Sequence, residues 1–230
     1  TRARCATTSL TGPVLGCEND SAAAKADPML RILILVPTRN RSDLAARAIR
    51  SALSQTAEAL IKVVVSDNSD EPLELAALSA EAHSINDQRL VYMRPSEPLD
   101  MGAHWNWAIQ QSVDRFSPTH LIVLTDRMVF RGQAVSELAR ISEADSSSVI
   151  TYMHDRVNDV STPVVLERTN YSGVACRVVS DRLLFLASRC ISHQSLPRLL
   201  NAMVPVTALA LVREVFGDYC HTVSPDFGFA

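Results

Sequence analysis

From Leu30 onward, short apolar runs alternate with longer stretches of mixed polarity. Arg31-Ile-Leu-Ile-Leu-Val36 is an unbroken leucine and β-branched run closed by Pro37, the pattern of a strand buried on both faces. Ser42 to Gln55 places Leu44, Ala48, Ile49 and Leu53 near helical spacing, with Ser42 as the expected N-cap. The pattern then repeats. Ile61 to Val65 predicts a second buried strand, ending in the turn formers Ser66-Asp-Asn-Ser-Asp70. A helix follows over Pro72 to His83, opened by proline in its first turn. Leu90 to Met93 predicts a third strand. A helix over Met101 to Arg115 sets Met101, Trp105, Ala108, Ile109 and Val113 on one side. His120 to Leu124, Gln133 to Ser142 and Val149 to Tyr152 continue as strand, helix and strand.

Strand and helix recur at intervals of about 30 residues, which predicts a parallel sheet with helices on both faces. Polar residues gather where strands end: Thr38 to Arg41, Ser66 to Asp70 and Thr125 to Arg127. In open α/β sheets ligands bind outside the carboxyl ends of the strands, so these three clusters should meet on one rim. After Asp155 the pattern loosens. Short runs such as Val164 to Leu166, Val178-Val179 and Ala208 to Val212 predict a mixed lobe set against the edge of the first sheet. Residues 1–28, rich in Thr, Ala and Ser and without periodicity, read as a flexible leader.

Composition narrows the classes. The chain has 230 residues, of which 47% are hydrophobic and 20% charged, which fits neither a disordered polyelectrolyte nor a membrane bundle. A net charge of −3 removes the generic electrostatic case for nucleic-acid binding. No apolar run is long enough to span a bilayer, Ala202 to Val212 being broken by Pro205 and Thr207. Five cysteines (Cys5, Cys17, Cys176, Cys190, Cys220) lie scattered with no C-x-x-C pair, which argues for free thiols in a reducing compartment. Without a secretory h-region, the expected location is the cytoplasm, with peripheral membrane association left open.

Several familiar sites are absent. The seven glycines form no G-x-G-x-x-G and no G-x-x-x-x-G-K-[ST], and there is no G-x-S-x-G or H-E-x-x-H. The six histidines (His83, His104, His120, His154, His193, His221) are dispersed, so each reads first as a surface or satisfied core residue. What remains is the carboxylate and amide set at the strand ends.

That set carries a resemblance. Val36-Pro-Thr-Arg-Asn40, Ser42-Asp-Leu44 leading to Ser54-Gln55, Val65-Ser-Asp-Asn-Ser-Asp70, Met101-Gly-Ala-His-Trp-Asn106 and Leu124-Thr-Asp126 follow in order over Leu30 to Ile141. Together they resemble a family 2 glycosyltransferase of the GT-A fold: a Rossmann-like, mostly parallel sheet with helices on both faces and a smaller, mixed acceptor lobe. The resemblance implies a nucleotide-sugar-binding half at 29–152 and an acceptor-side half at 153–230, the latter expected to be incomplete. It also implies a nucleotide-sugar donor, UDP-sugar favoured, and a saccharide or lipid-linked acceptor in polysaccharide assembly.

The resemblance assigns roles residue by residue. Pro37, Thr38, Arg39 and Asn40 would form the loop against the base and its ribose. Asp67, expected on a strand-end loop outside the core, would accept from the base edge. Gly102 and Asn106 match a helix start near the donor, where Trp105 stands in a place that relatives often give to Arg. Ordinary turn and capping chemistry is the alternative account of Asp, Asn and Ser at such positions. The departure is at Thr125-Asp-Arg-Met128, where family members carry acidic residues that hold Mn²⁺ or Mg²⁺ on the diphosphate. Asp126 is kept as a candidate metal ligand, and Arg127 takes the place of the second carboxylate, which puts the metal in doubt. Three readings stay open: another ligand serves, Arg127 neutralises the diphosphate itself, or the donor site has decayed. Ser224-Pro-Asp-Phe227 resembles the family's catalytic-base motif, making Asp226 the candidate base, or else a helix-capping Asp after Pro225. The rival function is a catalytically inactive domain of this fold that binds a nucleotide-sugar or a partner; a nucleotidyltransferase is weaker, lacking the glycine-rich basic loop after its first strand.

Overall fold

The computed structural model describes residues 29–158, 165–167, 185 and 198–220. Strands β1 (Arg31–Thr38), β2 (Leu60–Asp67), β3 (Leu90–Met93) and β4 (His120–Val123) form a parallel core in the order β3-β2-β1-β4. Helices α1 (Ser42–Leu53), α2 (Pro72–Ser84), α3 (Met101–Phe116) and α4 (Ala134–Ser142) connect and follow them.

Strand β1 explains the architecture. Ile32, Ile34 and Val36 enter one apolar cluster with Ala45, Ala48 and Ile49 of α1, Leu78 of α2 and Val135 of α4. Leu33 and Leu35 enter the other, with Trp105, Ala108 and Ile109 of α3. Both alternate sets are buried, so the run needs no polar face, and each Leu or Ile removed from water contributes about 1.5–3 kcal/mol. The wholly buried amide of Gln55 joins α1 to α4: its Oε1 accepts from Val135 N (3.1 Å) and its Nε2 donates to the Arg131 carbonyl (3.1 Å).

Two expectations change at the helix starts. Arg41, not Ser42, is the N-cap of α1: its carbonyl accepts from Ala45 N at 2.9 Å, and the Ser42 N–H is satisfied by Glu74 Oε2 of α2 at 2.7 Å. On α3 the buried face carries His104 and Ser112 beside Trp105, Ala108 and Ile109, whereas Met101 is exposed. The first turn of α3 sits by the strand-end loops, beyond the sheet's apolar face. Asp100 caps it by accepting from Ala103 N at 2.8 Å.

The larger correction concerns the second half. Strand β5 (Ile150–Thr151) does not pair with β4. Strand β8 (Ala202–Pro205) lies between them, antiparallel to both, giving the order β3-β2-β1-β4-β8-β5. Residues 202–205 therefore belong to the central sheet itself, not to a lobe beside its edge. Helix α5 (Val206–Phe216) follows at once and buries Leu209. A separate antiparallel pair joins β6 (Arg156–Asn158) to β7 (Val165–Glu167).

Candidate functional site

The order β3-β2-β1-β4 places the reversal of strand order between β1 and β4, where a crevice opens at the carboxyl ends. Pro37 marks the opening. The β1–β4 ladder ends with Leu124 N donating to the Leu35 carbonyl at 2.9 Å, so the missing proline N–H falls where β4 has already left. Just beyond, Thr38 Oγ1 donates to Asp126 Oδ2 at 2.9 Å, and Thr38 stands in register with Asp67 of β2. Thr38, Asp67 and Asp126 thus share one rim.

Asp67 is the last residue of β2 and is 0% exposed, not a loop residue outside the core. Its Oδ1 accepts from Ser69 N (2.8 Å) and its Oδ2 from the Tyr92 hydroxyl (2.7 Å). Burial, reinforced by the Asp67 carboxylate, pushes the Tyr92 phenol up. Beside it Ser66 Oγ and His104 Nε2 share a buried hydrogen bond of 2.8 Å. Burial drives His104 down to about 4, with the Asp67 charge opposing, so the ring is neutral at pH 7.

The loops after β1 and β2 are bound mainly to each other. Asn40 sits at φ 52°, a left-handed conformation Asn tolerates better than most residues. Its N–H donates to Ser69 Oγ (2.9 Å) and its Nδ2 to Asp70 Oδ1 (2.6 Å), while its Oδ1 accepts from Asp70 N and Glu71 N (3.1 Å each). Arg39 donates to Asp70 at 2.7 and 3.4 Å, and Arg39 and Asn40 together hold the Asp70 carboxyl at about 2. Asn68 exchanges two bonds with the Leu99 backbone, Nδ2 to O at 2.8 Å and N to Oδ1 at 2.9 Å. The polar groups of Arg39 and Asn40 are therefore engaged chiefly with the neighbouring loop.

Gly102 lies in the first turn of α3, and Asn106 one turn on. The Asn106 side chain grips the segment after α5. Its Oδ1 accepts from Tyr219 N and Cys220 N (2.9 Å each) and its Nδ2 donates to the Cys220 carbonyl (3.1 Å). Cys220 is a buried free thiol, pushed up to about 12 by burial and then by Asp218. Trp105 is packed into the core. Asp226 lies outside the described residues, as do Cys5, Cys17, Cys176 and Cys190.

At the β4 end a residue that sequence reasoning passed over comes forward. Arg41 Nη1 lies 3.4 Å from Asp126 Oδ1 and 3.5 Å from Oδ2. Asp126 is 5% exposed, whereas the Arg41 side chain is 44% exposed. Arg127 is exposed and has no hydrogen-bond or ion-pair partner among the described residues. This set does not fit a divalent cation. A hard cation takes six or more oxygen ligands, whereas Asp126 is already occupied by the Thr38 hydroxyl and faces a guanidinium. Among the described residues no group of three His, Cys, Asp or Glu side chains is placed to hold a metal. Further along the rim, Tyr152 follows β5 and Asn201 precedes β8. The Tyr152 hydroxyl and Asn201 Oδ1 are buried without a partner among the described residues.

The family model described as glycosyl transferase family 2 matches residues 33–201. No curated protein matches the chain. Among solved structures, S. aureus TarS 1–349 in complex with UDP is similar at TM-score 0.51 and 14% identity, covering 79% of this chain and 48% of that one. The same TarS fragment with UDP-GlcNAc gives TM-score 0.43 at 17% identity, covering 52% and 33%. The mannosyltransferase PcManGT from Pyrobaculum calidifontis, in complex with GDP-Man and Mn²⁺, gives 0.45 at 13%, covering 54% and 35%. The chain spans less than half the length of each of these.

Proposed function

This chain belongs to glycosyl transferase family 2, and from that premise we propose that it is an inverting glycosyltransferase that moves a sugar from a nucleotide-sugar, a UDP-sugar by preference, to a saccharide or lipid-linked acceptor. The observation that carries the reading is the meeting of Thr38, Asp67 and Asp126 on one rim, at the point where strand order reverses. The base would lie over the β1 and β2 ends, near Asp67 and the Arg39–Asn40 loop. The diphosphate would lie toward Asp126 and Arg127, with Gly102 and Asn106 flanking the donor from α3. Glycosyl transfer is the general activity of the family; the inverting course, the donor base and the acceptor are our proposal. So is the division into a donor-binding half at 29–152 and an acceptor-side half at 153–230. No helix among the described residues is long and apolar enough to cross a membrane; we place the reaction in the cytoplasm, in polysaccharide assembly.

Asp226 would take the proton of the acceptor hydroxyl. As it does so, that oxygen bonds to the anomeric carbon and the bond to the diphosphate oxygen breaks, the nucleoside diphosphate leaving with the electron pair. A panel of UDP-, GDP- and ADP-sugars, read by thermal shift and by release of nucleoside diphosphate onto saccharide acceptors, tests the reading. One donor should raise Tm and be consumed, and Asp226→Asn should cut turnover by about 10²–10⁴-fold with donor binding kept. Donor binding with no turnover on any acceptor would favour the inactive domain instead, a reading that Arg127 in place of a carboxylate makes specific. No shift with any donor would refute the transferase and the nucleotide-sugar-binding form of the inactive domain alike.

A further inference from the structure

The β4 end of the rim holds positive charge where a cation-binding carboxylate is expected. Three arginines follow or flank the strand ends here, and they are not equivalent. Arg39 is held by Asp70 through a bond of 2.7 Å and a second of 3.4 Å, and it also reaches the Leu99 carbonyl, so its charge is matched within the loop pair. Arg41 meets Asp126 only through Nη1, at 3.4 and 3.5 Å. That is well outside the 2.7–2.9 Å or so of a tight charge-assisted bond. Its remaining donors have no partner among the described residues, and the side chain is half exposed on the crevice wall. Arg127, next to Asp126 in sequence, is exposed and likewise without a partner among the described residues.

We propose that Arg41 and Arg127 together form a cation-independent site for the diphosphate of a nucleoside diphosphate. This rests on the donor-site reading above and deepens it. The two guanidiniums supply the positive charge, and their planar forks suit phosphate oxygens through paired N–H···O bonds. Arg41 has a second task, which is to hold the Asp126 carboxylate beside Thr38. The one acidic side chain left at this strand end is thereby turned inward, engaged by a hydroxyl and a guanidinium. A divalent cation approaching it would meet the like charge of Arg41. Arg41 enters this site because it is the N-cap of α1, directly after the strand that lines the crevice. Position Arg41 is thus as much part of the anion site as the residue that replaces the expected carboxylate.

Titration calorimetry with UDP and with GDP, each in EDTA and in Mn²⁺, tests this on the whole chain. The better-bound nucleotide should keep its Kd within twofold on replacing EDTA by Mn²⁺. Arg41→Ala and Arg127→Ala should each weaken it at least tenfold in EDTA, with unchanged Tm for the unliganded protein. Arg41→Lys should recover part of the loss, since charge returns without the fork. Arg41→Ala alone should gain a Mn²⁺ enhancement, because it frees the carboxylate. Wild-type binding that strengthens tenfold or more with Mn²⁺, or Arg41→Ala and Arg127→Ala variants that bind as wild type does, would overturn the arginine pair and leave the donor site standing. Should Arg41→Ala fail to fold, Arg127→Ala and Arg41→Lys decide alone. Wild type that binds neither nucleotide under either condition would refute the donor site as well.

Discussion

The β2 side of the rim and its β4 side use the same kinds of residue in opposite ways. On the β2 side the side chains of Asp67, Asn68, Asn40, Asp70 and Arg39 are each held by protein hydrogen bonds of 2.6–3.4 Å, and the most buried of them, Asp67, has a protein donor on each oxygen. On the β4 side Asp126 has one short bond, from Thr38, and two long contacts to a half-exposed Arg41, with Arg127 standing free among the described residues. The first arrangement shapes a wall before any ligand arrives. The second leaves donors for a ligand to take. A site that needs both a fixed outline and open charge divides them between neighbouring strand ends.

Truncation should separate the two sides most sharply. Asp67→Ala removes two hydrogen bonds to a buried carboxylate and strands the Tyr92 hydroxyl and Ser69 N–H, at a cost of roughly 3–5 kcal/mol in urea denaturation. Arg127→Ala should stay within about 0.5 kcal/mol of wild type in the same assay. Equal effects would erase the contrast.

Protonation offers the next test. His104 is held at about 4 against an ordinary 6.5, so between these values the unfolded chain binds more protons than the folded one. Its contribution is therefore complete above pH 6.5, declines as pH falls toward 4, and reaches a loss on the order of 3 kcal/mol. Urea midpoints across pH 7 to 4 should show that decline in wild type and a shallower one in His104→Gln. Parallel curves would mean that the ring titrates normally.

Asn40 sharpens the picture of the wall. Asn40→Ala and Asn40→Gly lose the same side-chain bonds, but only alanine resists φ 52°. The alanine variant should be less stable by about 1 kcal/mol; identical stabilities would mean that the loop re-forms with negative φ. The smallest effect is expected on the far rim, where Tyr152→Phe removes a buried hydroxyl that has no partner among the described residues. Its stability should match or slightly exceed wild type, and a loss above about 1 kcal/mol would reveal a bond to that hydroxyl.

Local periodicity was enough for β1 through α4, because each of these elements buries its own apolar run or stripe and joins its neighbour in sequence. Polar clusters at three strand ends were enough to find the rim. What stayed hidden needed distance information. Ala202 to Pro205 is four residues long and reads as the start of a longer apolar stretch; only pairing with β4 makes it a central strand. Asp67 looks like a turn former in Ser-Asp-Asn-Ser-Asp, yet β2 runs through it because β1 continues beside it to Thr38. Asn106 and Tyr219 are far apart in sequence, so no motif links them. Arg41 looked like an ordinary polar loop residue, and its meeting with Asp126 depends on how β1 and β4 diverge.

The late arrival of β8 also sets an order of assembly. β4 ends at Val123, and the strand that covers its outer edge begins only at Ala202. At ribosomal speeds of about 5–20 residues per second, that edge stays open for roughly 4–16 s after it emerges. During that interval the nascent chain offers the backbone of β4 to any passing strand, a standing invitation to mispairing. Strand β5, already made, does not close the gap, since its partner in the finished sheet is β8. The N-terminal strands can thus gather early around β1, but the crevice wall carrying Asp126 becomes rigid only when the last strand slides in beside it.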